Sequence, residues 1–238
     1  GVDTANNLAA YKVAIAAVIN ATGLDELTEI QTLINTVNTE QTAITVVSTA
    51  TTGDISTVTA DVLNDIVNLT GVDTANNLAA YKVAIAAVAT AAELDELSEI
   101  QTLIDAVNTE QSAIAAAIVA SDNAIAAVSN AAVANDANAL TITVLNAIMG
   151  LNGEVADNLA AYKSAIAAVA NAAELDELTE IQTLIDAVNT EQTAITVVST
   201  ATTGDISTVT ADVLNDIVNL TGVDTANNLA AYKVAIAA

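Results

Sequence analysis

The 238-residue sequence contains no cysteine, proline, histidine, arginine, tryptophan or phenylalanine. Without cysteine, the chain cannot form a disulfide, a thiolate nucleophile or a thiolate metal site. Without proline, it lacks the usual marker of stiff linkers, so we expect helices to be joined by short polar turns. Catalysis needs a base or nucleophile whose partners shift its pKa, and the residue types that most often fill these roles are missing. We therefore expect that this protein is not an enzyme.

Positive charge is almost absent as well. Four lysines stand against 29 aspartates and glutamates, which gives a formal net charge of −25. Such a chain repels phosphate backbones and anionic lipid surfaces, so nucleic acid is excluded as a partner. A chain with so large a negative charge is stable where salt screens the repulsion between its carboxylates. The Debye length, the distance over which charges act on one another, is already only ~10 Å at 0.1 M salt. We expect an extracellular or bacterial cell-surface location.

Aromatic residues make up 2% of a sequence that is 53% hydrophobic, so the apolar mass is mostly alanine, valine, isoleucine and leucine. Residues 113–134 form the most membrane-like segment, but Asp122 and Asn123 lie near its middle. A membrane-spanning helix needs ~20 predominantly apolar residues. We expect no membrane span.

The motif Asn-Leu-Ala-Ala-Tyr-Lys occurs four times and contains every lysine and every tyrosine of the chain. The copies are separated by 70, 81 and 70 residues, and they occupy residues 7–12, 77–82, 158–163 and 228–233. A fixed period of this size is typical of repeat proteins. We predict repeat 1 at residues 1–70, repeat 2 with an 11-residue insertion at 71–151, repeat 3 at 152–221, and the start of a further repeat at 222–238.

One long segment, residues 37–87, recurs letter for letter as residues 188–238. Identity over this length indicates a recent duplication of a two-repeat block. The last copy stops inside a helical pattern. We expect the sequence to be a window from a longer array.

Each repeat is predicted to begin with a helix, here called helix A. Its larger apolar residues follow spacings of 3, 4 and 3, which place them on one face of an α-helix: Leu8, Tyr11, Ile15 and Val18. Asp3 or Thr4 supplies the N-terminal cap, and Thr22-Gly23 ends the helix. The opposite side of helix A holds alanine and valine with little charge, which indicates packing on more than one side.

Helix B is predicted from Asp25 to about Ala50, roughly 40 Å at ~1.5 Å per residue. Its threonine- and valine-rich part, residues 42–52, would by itself favour a strand. The matching residues 112–122 of repeat 2 are rich in alanine, so we predict a helix in both. Helix C is shorter and has its apolar stripe between Ile55 and Ile66.

Repeat 2 departs from this pattern. We expect Ser121-Asp122-Asn123 to replace the turn between helices B and C, and the extra 11 residues to lie near residues 131–141. Asn135-Asp136-Ala137-Asn138 has the composition of a loop. Helix C is therefore predicted to split there, resume at Leu140 or Thr141, and run to Met149.

A 70-residue unit buries only about 60% of its unfolded surface and is marginal alone. With few large side chains and no disulfide, each repeat needs its neighbours for stability. The predicted fold is all-α: tandem three-helix-bundle repeats packed into an elongated array.

Three segments of the chain, residues 140–153, 158–168 and 180–189, resemble the GA-like repeats of very large bacterial cell-surface and secreted adhesin-type proteins. Those repeats are similar in turn to three-helix albumin-binding modules. The resemblance covers the short helix, helix A and the first half of helix B. It implies a three-helix bundle and an extracellular location, and it places no albumin-binding residue by motif.

A cluster of carboxylates at the start of helix B is the main candidate site, and it recurs in every repeat: Asp25, Glu26 and Glu29; Asp95, Glu96 and Glu99; Asp176, Glu177 and Glu180. Ca²⁺ takes 6 to 8 oxygen ligands. These residues, however, lie at a helix start, where acidic side chains stabilise the exposed backbone amides. We predict helix-start stabilisation, with Ca²⁺ bound only loosely and no dedicated cofactor or metal site.

The repeated lysines and tyrosines have two interpretations each. Lys12 and its copies are either cross-link donors or solvated side chains near an acid, and we favour the latter. Tyr11, Tyr81, Tyr162 and Tyr232 lie on the apolar stripe and are predicted to be core residues.

Two functions remain open at this point. The first is a structural repeat region of a bacterial surface protein, acting as a stalk or as a self-assembling filament or lattice subunit whose partners are copies of itself. The alternative is a binding module for a host or matrix protein. A filament former is expected to make fibres without a partner, whereas a binder is expected to stay monodisperse and retain one specific protein.

Overall fold

The computed structural model describes residues 2–3, 5–18, 24–169, 171–218 and 220–238. Helices make up 68% of the residues in these ranges, and no strand occurs among them. The all-α prediction is therefore confirmed. The threonine- and valine-rich residues 42–50 are helical, because their apolar members lie on one buried face and several threonine hydroxyls donate to the carbonyl four residues earlier, as Thr45 does to Gln41 at 2.7 Å.

Ten α-helices are described: α1 Leu8–Ala16, α2 Leu27–Ala50, α3 Ala60–Asn64, α4 Leu78–Ala86, α5 Leu97–Val133, α6 Ile142–Asn146, α7 Leu159–Ala168, α8 Leu178–Ala201, α9 Ala211–Asn215 and α10 Thr225–Ile236. Short 3-10 helices lie at Ile55–Thr57, Ala91–Glu93, Ala156–Asn158, Ala172–Glu174 and Ile206–Thr208. Helix A of the repeats corresponds to α1, α4, α7 and α10, and helix B corresponds to α2, α5 and α8.

Helix A is shorter than predicted. α1 ends at Ala16, before the predicted stop at Thr22-Gly23, which lies outside the described residues. Asp3 caps a turn instead of the helix itself: its Oδ1 accepts the backbone N–H groups of Ala5 and Asn6, each at 3.2 Å.

Helix C is not a single helix. The 3-10 turn Ile55–Thr57 is separated from α3 by Val58 and Thr59, both in extended conformation. The Thr59 hydroxyl caps α3 by accepting the Val62 N–H at 3.2 Å. This cap and the side chain of Asp54, which accepts the Ser56 N–H at 2.8 Å, each start a new helical turn.

The insertion of repeat 2 is accommodated differently from the prediction. Ser121-Asp122-Asn123 is not a turn, because it lies inside the 37-residue helix α5, whereas α2 and α8 have 24 residues each. These three residues contain no glycine and are flanked by alanine-rich sequence, so nothing stops the helix. The loop at 135–138 is confirmed, with Asn135 at φ 51°, and α6 begins after its cap Thr141.

The chain divides into two compact units, Gly1–Ile114 and Ala115–Ala238. The first unit has one hydrophobic cluster of buried residues, between Ala43 and Val107. The second has two, one between Ala124 and Val188 and a smaller one between Ala201 and Leu214. Each cluster is the core of a small helical bundle.

The core of the first unit combines four segments of the chain. Its fully buried members are supplied by the second half of α2, the segment around α3, helix α4 and the first half of α5: Val47, Val58, Leu63, Tyr81, Ile85, Ile100 and Ile104. Burying an isoleucine or leucine side chain contributes about 1.5–3 kcal/mol. The predicted apolar stripe of helix A is confirmed in the second copy, where Leu78, Tyr81 and Ile85 of α4 and Val88, two residues after its end, all join this cluster.

The boundaries of the hydrophobic cores do not coincide with the boundaries of the sequence repeats. The cluster of residues 43–107 extends across position 70/71, where one sequence repeat gives way to the next. In the second unit, the cluster of residues 124–188 extends across 151/152, and the smaller cluster takes partly buried residues from both sides of 221/222. Helix α8 serves two cores, because Ile181 and Ile185 belong to the first and Ala201 to the second. A core is thus assembled from consecutive repeats.

Candidate functional site: carboxylate caps, a polar clamp and an open groove

The repeated carboxylate clusters close the starts of the long helices. Glu29 Oε2 accepts the backbone N–H groups of Asp25 and Glu26, each at 3.1 Å. The Glu26 side chain in turn accepts the N–H of the third helical residue, which completes a capping box. Glu29 therefore satisfies two amides that would otherwise lack a partner at the helix start.

The same arrangement recurs in the other two copies. Glu99 accepts from Asp95 and Glu96, and Glu180 accepts from Asp176 and Glu177, at 3.1–3.2 Å. In the described part of the chain, no three acidic side chains are arranged to hold a metal ion. Loose Ca²⁺ binding by these residues stays a prediction.

Each tyrosine of the motif connects helix A to the loop before it. The Tyr81 hydroxyl accepts the Asp73 backbone N–H at 3.0 Å and donates to Asn108 Oδ1 on α5 at 2.6 Å. Asn77 Nδ2 donates to the same Asn108 oxygen at 3.0 Å. The ring of Tyr81 is fully buried. Tyr81 is thus a core residue with one polar end, as Tyr11 and Tyr162 are in their own copies.

Two side chains of the long helix hold the loop that separates consecutive repeats. Gln101 accepts the Thr70 N–H at 2.8 Å through Oε1 and donates to the Thr70 carbonyl at 3.0 Å through Nε2. Asn108 Nδ2 donates to the carbonyl of Gly71 at 2.8 Å. Gly71 has a φ of +69°, a conformation that favours glycine. We call Gln101 and Asn108 the polar clamp.

The second unit contains the same clamp. Gln182 exchanges two hydrogen bonds with the backbone of Asn152, at 3.0 and 2.9 Å. Asn189 Nδ2 donates to the Gly153 carbonyl at 2.8 Å. The sequence analysis does not identify these residues, because glutamine and asparagine carry no charge and belong to none of its candidate sites. Their recurrence at fixed distances from the motif tyrosine was the available signal.

The motif lysines contact backbone carbonyls in two copies. Lys163 Nζ donates to the Asn138 carbonyl at 2.9 Å, and Lys233 Nζ to the Ser207 carbonyl at 3.4 Å. Asp54 and Asp205 have pKa values below the ordinary one, chiefly because Ser56 and Ser207 donate hydrogen bonds to them, with Lys82 and Lys233 adding a weaker attraction. The side chains of these lysines therefore lie close to loops and 3-10 turns that precede α-helices.

An open apolar groove lies at the last repeat. It has a volume of about 450 Å³ and is lined by α8, α9, α10 and the loop between the last two, including Val198, Leu214, Ile217, Leu220, Tyr232 and Ile236. These residues belong to the segment 188–238, which is identical in sequence to 37–87. In the earlier copy, Val47, Leu63, Ile66 and Tyr81 occupy the same positions and are buried, with exposures of 0–2%. The groove is thus an uncovered version of the first unit's core.

Repeat 1 also exposes apolar side chains that are buried in the other copies. Ile30 is 40% exposed, whereas its counterparts Ile100 and Ile181 are fully buried. Ile15 is 53% exposed, whereas Ile85 is fully buried. The side chains are the same and only their neighbours differ. Helices α1 and α2 therefore present apolar surface that the other copies bury.

A second groove, of about 590 Å³, lies in the first unit between α1, α2 and the start of α5. Its walls include Val13, Ile44 and the carboxylates of Glu40, Asp95 and Glu96. Burial raises the pKa of Glu40 above its ordinary value. Two residues of the second carboxylate cluster, Asp95 and Glu96, thus share this groove with a partly desolvated acid.

Exposed apolar residues also recur on helix A and in the middle of α5. Val13, Val83 and Val234 occupy one position of helix A and are 70–73% exposed. Residues 112–120 of α5 are all exposed. By length and composition α5 is able to cross a membrane, and 17% of its most apolar window is buried. Globular proteins also contain helices that meet this criterion, so it is weak support for a span.

No known protein family, no curated protein and no solved structure matches this chain. The resemblance to GA-like repeats stays a prediction made from the motifs alone.

Proposed function

We propose that residues 1–238 are a structural repeat region of a bacterial extracellular surface protein, made of tandem three-helix repeats that act as a stalk or as a self-assembling filament or lattice subunit. The observation that supports this most directly is the register of the cores. Each core takes residues from two consecutive sequence repeats. Repeats that share cores stabilise one another and extend the chain, as in other repeat proteins.

The composition supports the same function. A net charge of −25 keeps such a chain soluble and disfavours nucleic acid and anionic lipid as partners. The carboxylate clusters, the tyrosines and the polar clamp all have hydrogen-bond partners within the bundles. Their chemistry is therefore used to hold helix starts and loops in place.

Electron microscopy of the purified protein tests this proposal. Fibres or sheets that form without a partner support the self-assembling form, and single extended particles support the stalk. Rounded monodisperse particles that retain one serum or matrix protein on an affinity column would contradict both and favour the alternative binding module.

A further inference from the structure

We propose that Asn152 is a site of spontaneous modification, at which the asparagine converts to isoaspartate or aspartate, and that Gln182 of the polar clamp controls the rate. Of the 23 asparagines in the sequence, only Asn152 is followed by glycine. Its side chain is exposed, in the loop between two sequence repeats. This inference does not depend on the proposed function, because it concerns the chemistry of one loop.

The reaction uses the main chain of the loop itself. After its N–H loses a proton to the solvent, the Gly153 nitrogen attacks Cγ of Asn152. A C–N bond forms, the bond from Cγ to the side-chain nitrogen breaks, and this nitrogen takes up a proton and leaves as ammonia. Water then opens the cyclic succinimide at either carbonyl, which gives isoaspartate or aspartate. Glycine favours the attack because it has no Cβ, so the two groups can approach closely.

The other repeats show that the clamp does not need an asparagine at this position. Thr70 and Thr221 stand where Asn152 does, each followed by a glycine with positive φ. Gln101 holds the backbone of Thr70 with the same two hydrogen bonds that join Gln182 to Asn152. The glycine is thus explained by the loop conformation, whereas the asparagine makes this one loop reactive.

In the folded chain, three hydrogen bonds restrain the main chain of the two reacting residues. Gln182 accepts the Asn152 N–H at 3.0 Å and donates to its carbonyl at 2.9 Å. Asn189 donates to the Gly153 carbonyl at 2.8 Å, and the Asn152 amide itself donates to the Gly150 carbonyl at 2.6 Å. Attack requires this loop to open. Each neutral hydrogen bond makes opening roughly fivefold rarer, so the folded chain is expected to react about a hundredfold more slowly than the unfolded chain.

Conversion to isoaspartate would release the clamp of the second unit. The main chain then runs through Cβ and Cγ of residue 152, which adds a methylene to it and turns the former carbonyl into a free carboxylate. Gly153 is displaced, so Gln182 and Asn189 can no longer hold neighbouring carbonyls with their present spacing. Amide exchange in this loop is therefore expected to accelerate in the converted protein.

Mass spectrometry of peptic peptides measures the conversion during incubation at constant pH and temperature, and chromatography separates isoaspartate from aspartate. In the folded protein, Asn152 is expected to convert before any other asparagine. Unfolding in urea is expected to speed its conversion by about a hundredfold. Gln182→Ala removes two of the three restraints, so it is expected to speed conversion in the folded state by about 25-fold and to have no effect in urea.

Two matched variants separate the clamp from other causes. Gln101→Ala removes the corresponding clamp residue from the first unit and is expected to leave the conversion of Asn152 unchanged. Asn152→Thr introduces the residue of the other repeats and is expected to abolish conversion at this loop while keeping the clamp.

Amide exchange of α7 checks that Gln182→Ala opens the loop without unfolding the second unit. If α7 also exchanges faster, Gln182→Glu takes its place, because glutamate keeps the acceptor for the Asn152 N–H and loses only the donor. Its expected acceleration is about fivefold.

Equal conversion rates in the unchanged protein and in the clamp variant that passes the α7 check would overturn the inference. Earlier conversion of another asparagine in the folded protein, or an equal acceleration by Gln101→Ala, would overturn it as well. None of these results bears on the structural repeat function, which electron microscopy tests separately.

Discussion

The Tyr81 hydroxyl donates a 2.6 Å hydrogen bond to Asn108 Oδ1 and connects helix A to the next long helix across 27 residues of sequence. The same hydroxyl accepts the Asp73 backbone N–H at 3.0 Å, and Asn108 Nδ2 holds the Gly71 carbonyl. One tyrosine and one asparagine thus fix the loop where two sequence repeats meet. The core of the first unit takes residues from both sides of this loop.

Replacing Tyr81 by phenylalanine is expected to destabilise the first unit by about 1–3 kcal/mol, because the Asp73 N–H and one Asn108 lone pair lose their partner. Hydrogen exchange of α4 amides should accelerate by roughly 5- to 150-fold, since each 1.4 kcal/mol is a factor of ten. Tyr232→Phe is the matched control in identical local sequence. Tyr232 is only half-buried and donates to the Gly222 carbonyl at 3.5 Å, so its loss should matter less. A larger effect in α10 than in α4 would contradict this account.

Replacing Gln101 by alanine is expected to release the loop at Thr70. The Thr70 N–H loses its acceptor, so its exchange rate should rise by roughly fivefold, equivalent to about 1 kcal/mol for a neutral hydrogen bond. Gln31→Ala is the control, because Gln31 Nε2 donates to Asn35 Oδ1 at 2.9 Å and, among the described residues, Gln31 has no bond to this loop. Amide exchange followed by NMR measures both. Equal acceleration of Thr70 N–H exchange in the two variants would show that the effect does not come from the loss of the clamp.

Acidification is expected to weaken the loop before α4. The Asn76 side-chain amide donates to Asp73 at 2.8 Å and its backbone N–H at 3.1 Å, which together hold the pKa of Asp73 below its ordinary value. Because the pKa is lower in the folded state, the stabilisation is fully present above the unfolded pKa, about 3.9. It is lost as the pH falls through the folded pKa.

Carboxyl NMR titration tests this cause of the shift. Asn76→Ala should raise the pKa of Asp73 towards the ordinary value, because the largest cause of the shift is removed. Asp3 in the same sample is the internal control, since the pKa of Asp3 is lowered by Asn6 in the same way and Asn6 is unchanged. A pKa of Asp73 that stays low in this variant would show that the side-chain amide is not its cause.

Several parts of the fold follow from sequence periodicity. The all-α class, the apolar stripe of helix A and the helical state of residues 42–50 were predictable, because 3.6-residue spacing recurs in several copies and one copy resolves the ambiguity of another. The loop at 135–138 was predictable from its asparagine and aspartate content. Because the same pattern occurs in several copies, an ambiguous segment in one copy can be compared with the matching segment in another.

Other parts of the fold depend on contacts that the local sequence pattern does not predict. Ser121-Asp122-Asn123 has turn-forming residues but lies inside α5, where the Ser121 hydroxyl accepts the Met149 N–H at 2.9 Å. Helix C breaks at Thr59 because a side-chain cap begins a new helix there. The polar clamp and the register of the cores depend on residues about 30 positions apart, so they become visible only when the helices are placed together.

The most direct test of the account compares two fragments of nearly equal length, residues 37–108 and residues 1–70. The first contains the complete core of the first unit, with Tyr81 and its partner Asn108, whereas the second is one sequence repeat and contains only part of that core. Urea unfolding followed by circular dichroism is expected to show a cooperative transition for residues 37–108 and a gradual loss of helix for residues 1–70. Cooperative unfolding of residues 1–70, with none for 37–108, would show that the folding unit is the sequence repeat and would contradict the account.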